Sequence, residues 1–136
     1  MCKVYAYCRV STQKQELQRQ IDNISKVYSD AIFYSDKFTG ATTDRPNWNK
    51  LYKILKAGDT IVFDSVSRMS RNAAEGASLY EELYNRGVNL VFLKEPLVNT
   101  ENYRKSLQEI GLYGDEIADE YIKATNRVLI ILAKRQ

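Results

Sequence analysis

Apolar residues along this chain switch repeatedly between a spacing of two and a spacing of three to four, and the switches mark a succession of strands and helices. Lys3-Val-Tyr-Ala-Tyr-Cys-Arg-Val10 reads as a β-branched and aromatic strand. Leu17, Ile21, Ile24 and Val27 then recur at helical spacing, which predicts an amphipathic helix over about 12–28 with Lys, Gln and Arg on its outer side. Ala31 to Ser35 predicts a short second strand, and the polar stretch 36–46 a loop longer than an ordinary connection. Pro46 sits early in a second helix, whose inner stripe is Trp48, Leu51, Tyr52 and Leu55 and whose end is Gly58. Thr60 to Asp64 is a third strand with 65–71 as its exit. Asn72 with Glu75 fits a capping-box-like start for a third helix, carried by Leu79, Leu83 and Tyr84 to Gly87. Val88 to Leu93 is a fourth strand. An irregular segment follows, and then a long helical pattern over 115–136 with Ile117, Tyr121, Ala124, Val128 and Ile131 on one stripe. The order β-α-β-α-β-α-β predicts an α/β fold, a mainly parallel sheet flanked by helices.

Length and composition narrow this picture. A chain of 136 residues that is 44% apolar suits one domain with its own core. It contains no histidine, which excludes Ser-His-Asp hydrolysis and histidine-based zinc sites. Cys2 and Cys8 lie in one strand, roughly 20 Å apart at about 3.3 Å per residue, too far for a disulfide. No stretch is long and apolar enough for a membrane span, and the start lacks the apolar run of a signal peptide, so a reduced, soluble, cytoplasmic protein with no membrane partner is expected. Apolar Leu129-Ile-Ile-Leu132 still runs close to the last residue, which reads as a chain cut inside a longer helix. Twenty Lys and Arg against 17 Asp and Glu leave a net charge of +3, weak for a module that grips DNA unaided.

Ser11 carries the candidate chemistry, because it stands at a strand-to-helix turn two residues from Arg9, on the carboxyl edge where α/β proteins hold ligands. Arg9, Arg45, Arg68 and Arg71 all fall in strand exits or the long loop, which a parallel sheet brings to one edge. Guanidinium forks match phosphate oxygens and stay charged, so together they can hold a phosphodiester and offset its transition-state charge. Asp36, Asp44, Asp59 and Asp64 are scattered, so no metal site and no cofactor are expected. Plainer readings stand beside these. Ser11 fits a helix N-cap, Asp36 and Asp44 fit loop and helix starts, Gln15 fits an exposed helix face, and Tyr7 fits the core or a pocket wall.

Three ordered segments carry a resemblance. They are Tyr7-Cys-Arg-Val-Ser-Thr-Gln13 with Gln15 and Gln20 downstream, Asp36-Lys-Phe-Thr-Gly40 with Asp44-Arg-Pro46, and Ser67-Arg-Met-Ser-Arg71. Over residues 3–98 the chain resembles the catalytic domain of the serine recombinases, the resolvase and invertase group. The resemblance implies that Ser11 attacks a DNA phosphodiester to give a 5′-phosphoserine ester and a free 3′-hydroxyl, and that rejoining needs no ATP. It implies that Arg9, Arg68 and Arg71 grip the scissile phosphate and that Arg45 reaches in from the loop. Gln15, Asp36, Thr39, Tyr7 and Ser67 are then the supporting residues. The implied partners are double-stranded DNA, a homodimer and a synaptic homotetramer, with the DNA-binding domain absent from this chain. Ser67 departs from the aspartate common in the family, which leaves three readings: a dispensable role, a substitute carboxylate at Asp64 or Asp36, or a catalytically silent assembly module of the same fold.

Overall fold

A computed structural model describes residues 2–10, 14–37, 45–70, 73–111 and 116–135. Four strands, β1 (Val4–Val10), β2 (Ile32–Lys37), β3 (Thr60–Phe63) and β4 (Asn89–Phe92), form one parallel sheet in the order β2-β1-β3-β4. Five helices accompany them: α1 (Lys14–Val27), α2 (Pro46–Ile54), α3 (Ala73–Asn85), α4 (Thr100–Gly111) and α5 (Glu116–Arg135). Single 3₁₀ turns stand at Val66–Arg68 and Pro96–Val98. The sequence-predicted α/β class is therefore the observed one.

The chain runs outward from β1 to β2 and then back past β1 to β3, so β1 and β3 flank the point where strand order reverses. Crossovers of one hand then place α1 on one face and α2 and α3 on the other. The two cores follow this division. Ala6, Cys8 and Val62 pack with Ile24, Leu17 and Ile21 of α1, whereas Tyr7, Phe63 and Phe92 pack with Trp48, Leu51, Tyr80 and Leu83 of α2 and α3. On this second face aromatic rings continue from strand to strand. Tyr7 meets Trp48 at 4.9 Å and Phe63 at 6.3 Å, and Phe63 stacks on its register partner Phe92 at 5.3 Å.

Three elements differ from the sequence expectation. The irregular segment after β4 contains α4, whose Tyr103 is buried and whose Leu107 is partly buried against the larger core. Few apolar positions in a mostly polar stretch hid that helix. In α5 the described members of the expected stripe are Ala124 and Val128, which are exposed, and Ile131, which is half-buried, whereas Asn126 and Ile130 are buried. Asn126 is drawn in because the buried Tyr80 hydroxyl bonds to it as well as to the Val98 carbonyl. Finally, β2 extends through Asp36 and Lys37, since Asp36 stands in register with Arg9. Residues 38–44 of the expected loop, Asn72 of the expected cap, and Ile117 and Tyr121 of the stripe, as side chains, lie outside what is described.

Gly87 ends α3 as expected. Its φ of +85° suits glycine, and the amides of Gly87 and Val88 return to the carbonyls of Tyr84 and Leu83. Cys2 is exposed and Cys8 buried, both as free thiols, and burial pushes the Cys8 thiol pKa up to about 12. Among the described residues no helix is long and apolar enough to cross a membrane.

At the amino edge of the sheet Asp59 is 3% exposed, and its carboxylate accepts the amides of Lys3 and Lys56 at 2.9 and 3.0 Å. Burial works to raise its pKa, but those two donors, with the charges of Lys56 and Lys3, outweigh burial and hold it below the ordinary aspartate value. A depressed carboxylate stabilises the fold above its unfolded pKa, and that contribution is lost as pH falls through the folded value. Asp59→Ala should cost about 1–3 kcal/mol at neutral pH, because two amides lose their acceptor. Urea midpoints of variant and parent should draw together on acidification; a gap that stays constant with pH would refute this charge-dependent account.

Candidate phosphate-facing site

The site is built where β1 outruns its neighbour. Register between β1 and β3 stops at Ala6 and Val62, yet β1 continues to Val10. The peptide of Arg9 therefore needs partners other than a strand. Gln20 of α1, 1% exposed, supplies both: its Oε1 accepts the Arg9 amide at 3.3 Å, and its Nε2 donates to the Arg9 carbonyl at 3.2 Å. The same carbonyl accepts Nη1 of Arg68 at 3.1 Å. Arg68 Nη2 pairs with the carboxylate of Glu16, again from α1. The buried Nε of Arg68 meets no acceptor among the described residues.

Arg68 is carried by the 3₁₀ turn Val66–Arg68, and that turn is itself held. Glu95 accepts the Val66 amide at 2.6 Å, and Ser65 Oγ lies 2.7 Å from Ser67 Oγ. Gly76 lets α3 press against the next residues, since a Cβ there would come within 2.6 Å of Ser70 Oγ.

Arg45 approaches the turn from the other face. It is 8% exposed, and its guanidinium lies 4.8 Å from the Trp48 ring and 5.4 Å from the Tyr7 ring. Its Nη2 donates to the Met69 carbonyl at 2.7 Å, and its Nη1 is 3.6 Å from Glu75. Arg45 is thus anchored in an aromatic cage and bonded to Met69, the residue that follows Arg68. In this structure Arg45, at the N-terminus of α2, ties that helix to the residue after the turn.

Asp36 is occupied as a helix cap. Pro46 at the start of α2 has no amide hydrogen, and Asp36 accepts the next two amides, Asn47 at 3.1 Å and Trp48 at 2.9 Å. The Tyr7 hydroxyl donates to the same carboxylate at 2.7 Å. Burial and that bond push the Tyr7 pKa well above the ordinary phenol range. Asp64, the other substitute weighed for a carboxylate at 67, accepts Asn23 Nδ2 at 3.2 Å and pairs with Lys94 at 3.3 Å.

Of the residues singled out from sequence, the structure brings together Arg9, Arg68, Ser67, Arg45, Tyr7 and Asp36 at the carboxyl ends of β1, β2 and β3. Gln15 is exposed on α1 beside Glu16. Ser11, Thr39 and Arg71 lie outside the described residues, Ser11 following Val10 directly in sequence. Glu16, Glu95 and Asn23 were missed. Glu16, Gln20 and Asn23 share one edge of α1 at spacings of four and three, and that periodicity beside the apolar stripe was the available signal. Among the described residues no group of His, Cys, Asp and Glu is arranged to hold a metal ion.

A parallel α/β sheet whose strand order reverses belongs to the class that holds ligands in the crevice at the carboxyl ends of its strands. A family model described as "Resolvase, N terminal domain" matches residues 4–136, and the chain belongs to that family. It is 38% identical over 96 residues to the transposon Tn501 resolvase of Pseudomonas aeruginosa, covering 69% of this chain and 48% of the relative. It is 39% identical over 89 residues to the transposon Tn552 DNA-invertase BinR of Staphylococcus aureus, covering 65% and 46%. The chain spans about half the length of the curated relatives it matches. Among solved structures, a resolvase family site-specific recombinase from Streptococcus pneumoniae shares the fold with a TM-score of 0.59 at 22% identity, over 94% of this chain and 87% of that one. A serine recombinase from Sulfolobus solfataricus gives 0.55 at 25% identity, over 93% and 98%.

Arg45→Lys should lower stability by about 1–2 kcal/mol, because an ammonium cannot both lie flat on two rings and reach the Met69 carbonyl. Chemical denaturation measures this, and an unchanged midpoint would show that the cage is not a stabilising contact.

Proposed function

We propose that residues 1–136 form the catalytic domain of a serine-type site-specific DNA recombinase, and that DNA-sequence reading belongs to a separate domain. The net charge of +3 supports that division of labour. The observation that carries the proposal is the Arg68 guanidinium seated 3.1 Å from the Arg9 carbonyl, two residues before Ser11. A phosphodiester meeting Ser11 there has a planar cationic donor beside it, with a buried N–H that lacks an acceptor among the described residues.

In the proposed reaction Ser11 Oγ attacks phosphorus, the bond to the 3′-oxygen breaks, and the proton passes from the serine hydroxyl to the leaving 3′-hydroxyl. The product is a 5′-phosphoserine ester. Attack by a 3′-hydroxyl reverses the step, so one phosphoester replaces another and no ATP is consumed. Arg68, Arg9 and Arg71 stabilise the phosphorane-like charge, with Gln15 and Thr39 beside them. Arg45, Tyr7 and Asp36 keep the supporting turn and helix in place, and Ser67 fixes the turn through Ser65. Strand exchange takes place in a homotetramer of two dimers on double-stranded DNA, in the cytoplasm and without a cofactor.

The test uses the full-length protein with duplexes selected for binding from a randomised pool and nicked so that the cut strand diffuses away. A covalent protein–DNA adduct is expected that disappears in Ser11→Ala. Arg68→Ala should slow adduct formation by about 100-fold or more while leaving the melting transition near that of the parent. Absence of any Ser11-dependent adduct would defeat the enzyme reading and favour a silent assembly module.

A further inference from the structure

Arg68 donates in two directions that are fixed by other elements: Nη1 to the Arg9 carbonyl of β1 at 3.1 Å and Nη2 to the Glu16 carboxylate of α1. The remaining carboxylates near this edge are committed elsewhere. Asp36 serves Tyr7, Asn47 and Trp48, while Asp64 serves Asn23 and Lys94. Position 67, next to Arg68, offers a hydroxyl already bonded to Ser65. Glu16 is thus the carboxylate that reaches Arg68 among the described residues.

We infer that Glu16 is a positioning residue, which holds the Arg68 guanidinium across the end of β1 so that its free edge faces a DNA phosphodiester. This rests on the reading of Arg68 as a phosphate-binding residue. Arginine has a long flexible stem, and binding a phosphate with an unrestrained one would cost the ordering of that stem. The Glu16 and Arg9 contacts meet that ordering cost before DNA arrives. A guanidinium has five N–H donors, so the carboxylate and the carbonyl leave further hydrogens of this partly exposed group for an incoming oxygen. Glu16 is therefore compatible with phosphate binding and does not have to leave first. Its side chain is 26% exposed and that of Arg68 27%, so the pair contributes little to folding, and its loss should appear in the rate.

The experiment combines a spectroscopic readout with single-turnover cleavage. In DNA-free protein the Arg68 Nε–H resonance, assigned by its loss in Arg68→Lys, should be sharp and slow to exchange. It should merge with solvent-exposed arginines in Glu16→Ala and stay resolved in Glu16→Gln, which keeps an acceptor of the same shape. At saturating DNA, Glu16→Ala should form the Ser11 adduct about tenfold or more slowly, with half-saturation little changed, and Glu16→Gln should recover most of the rate. Faster cleavage or tighter DNA binding in both variants would overturn the inference and make Glu16 a competitor of the phosphate. A parent-like rate and resonance in Glu16→Ala would overturn it too. Failure of the parent itself to form an adduct, with the Arg68 resonance behaving as expected, would instead strike the recombinase reading and leave Glu16 with only a structural contact.

Discussion

The peptide group of Arg9 is the constraint around which this edge of the molecule is arranged. A parallel strand that outruns its neighbour carries backbone donors and acceptors that must be satisfied or pay for desolvation. Here a buried glutamine amide takes the place of the missing strand, satisfying donor and acceptor together. The carbonyl's second lone pair is then open to Arg68, which fastens the β3–α3 turn to β1. One structural need of the backbone thus brings a cation beside the residue that precedes Ser11 by two.

That arrangement explains why much of the fold was legible and part of the site was not. Strand and helix periods read directly because each element buries one face or stripe, and Gly58 and Gly87 punctuate them. The helix over Thr100–Gly111 escaped because Tyr103 and Leu107 are separated by polar residues, and burial of two side chains suffices when neighbours supply the rest of the core. On α5 the stripe placed Ala124 and Val128 inward, and they are exposed. Tyr80 needs a polar neighbour in the interior, and Asn126 rather than a valine answers it.

The arginines stood out in the sequence because they fall at strand exits. Glu16 and Asn23 did not, for a physical reason: a polar residue at the border of an apolar stripe has the same pattern whether it meets solvent or a buried group. Glu16, Gln20 and Asn23 occupy that border on α1, and each reaches a different part of the sheet's carboxyl edge: Arg68, the Arg9 peptide and Asp64. Asp36 fits its plainer reading as a helix start, since it accepts the first two free amides of α2, and it also accepts the Tyr7 hydroxyl.

Arg45 and Arg68 grip the same turn from opposite faces of the sheet, one through the Met69 carbonyl and one through its own backbone. Their environments differ. Arg45 lies flat on aromatic rings in the larger core, where its weakly hydrated plane loses little on burial and its cost is offset by the carbonyl and Glu75. Arg68 remains about a quarter exposed beside Glu16 of α1. A buried cation and a partly exposed one thus meet at one 3₁₀ turn and its cap, Met69. The aromatic core on which Arg45 lies also packs the strands β1 and β3, at whose carboxyl ends Arg68 is held.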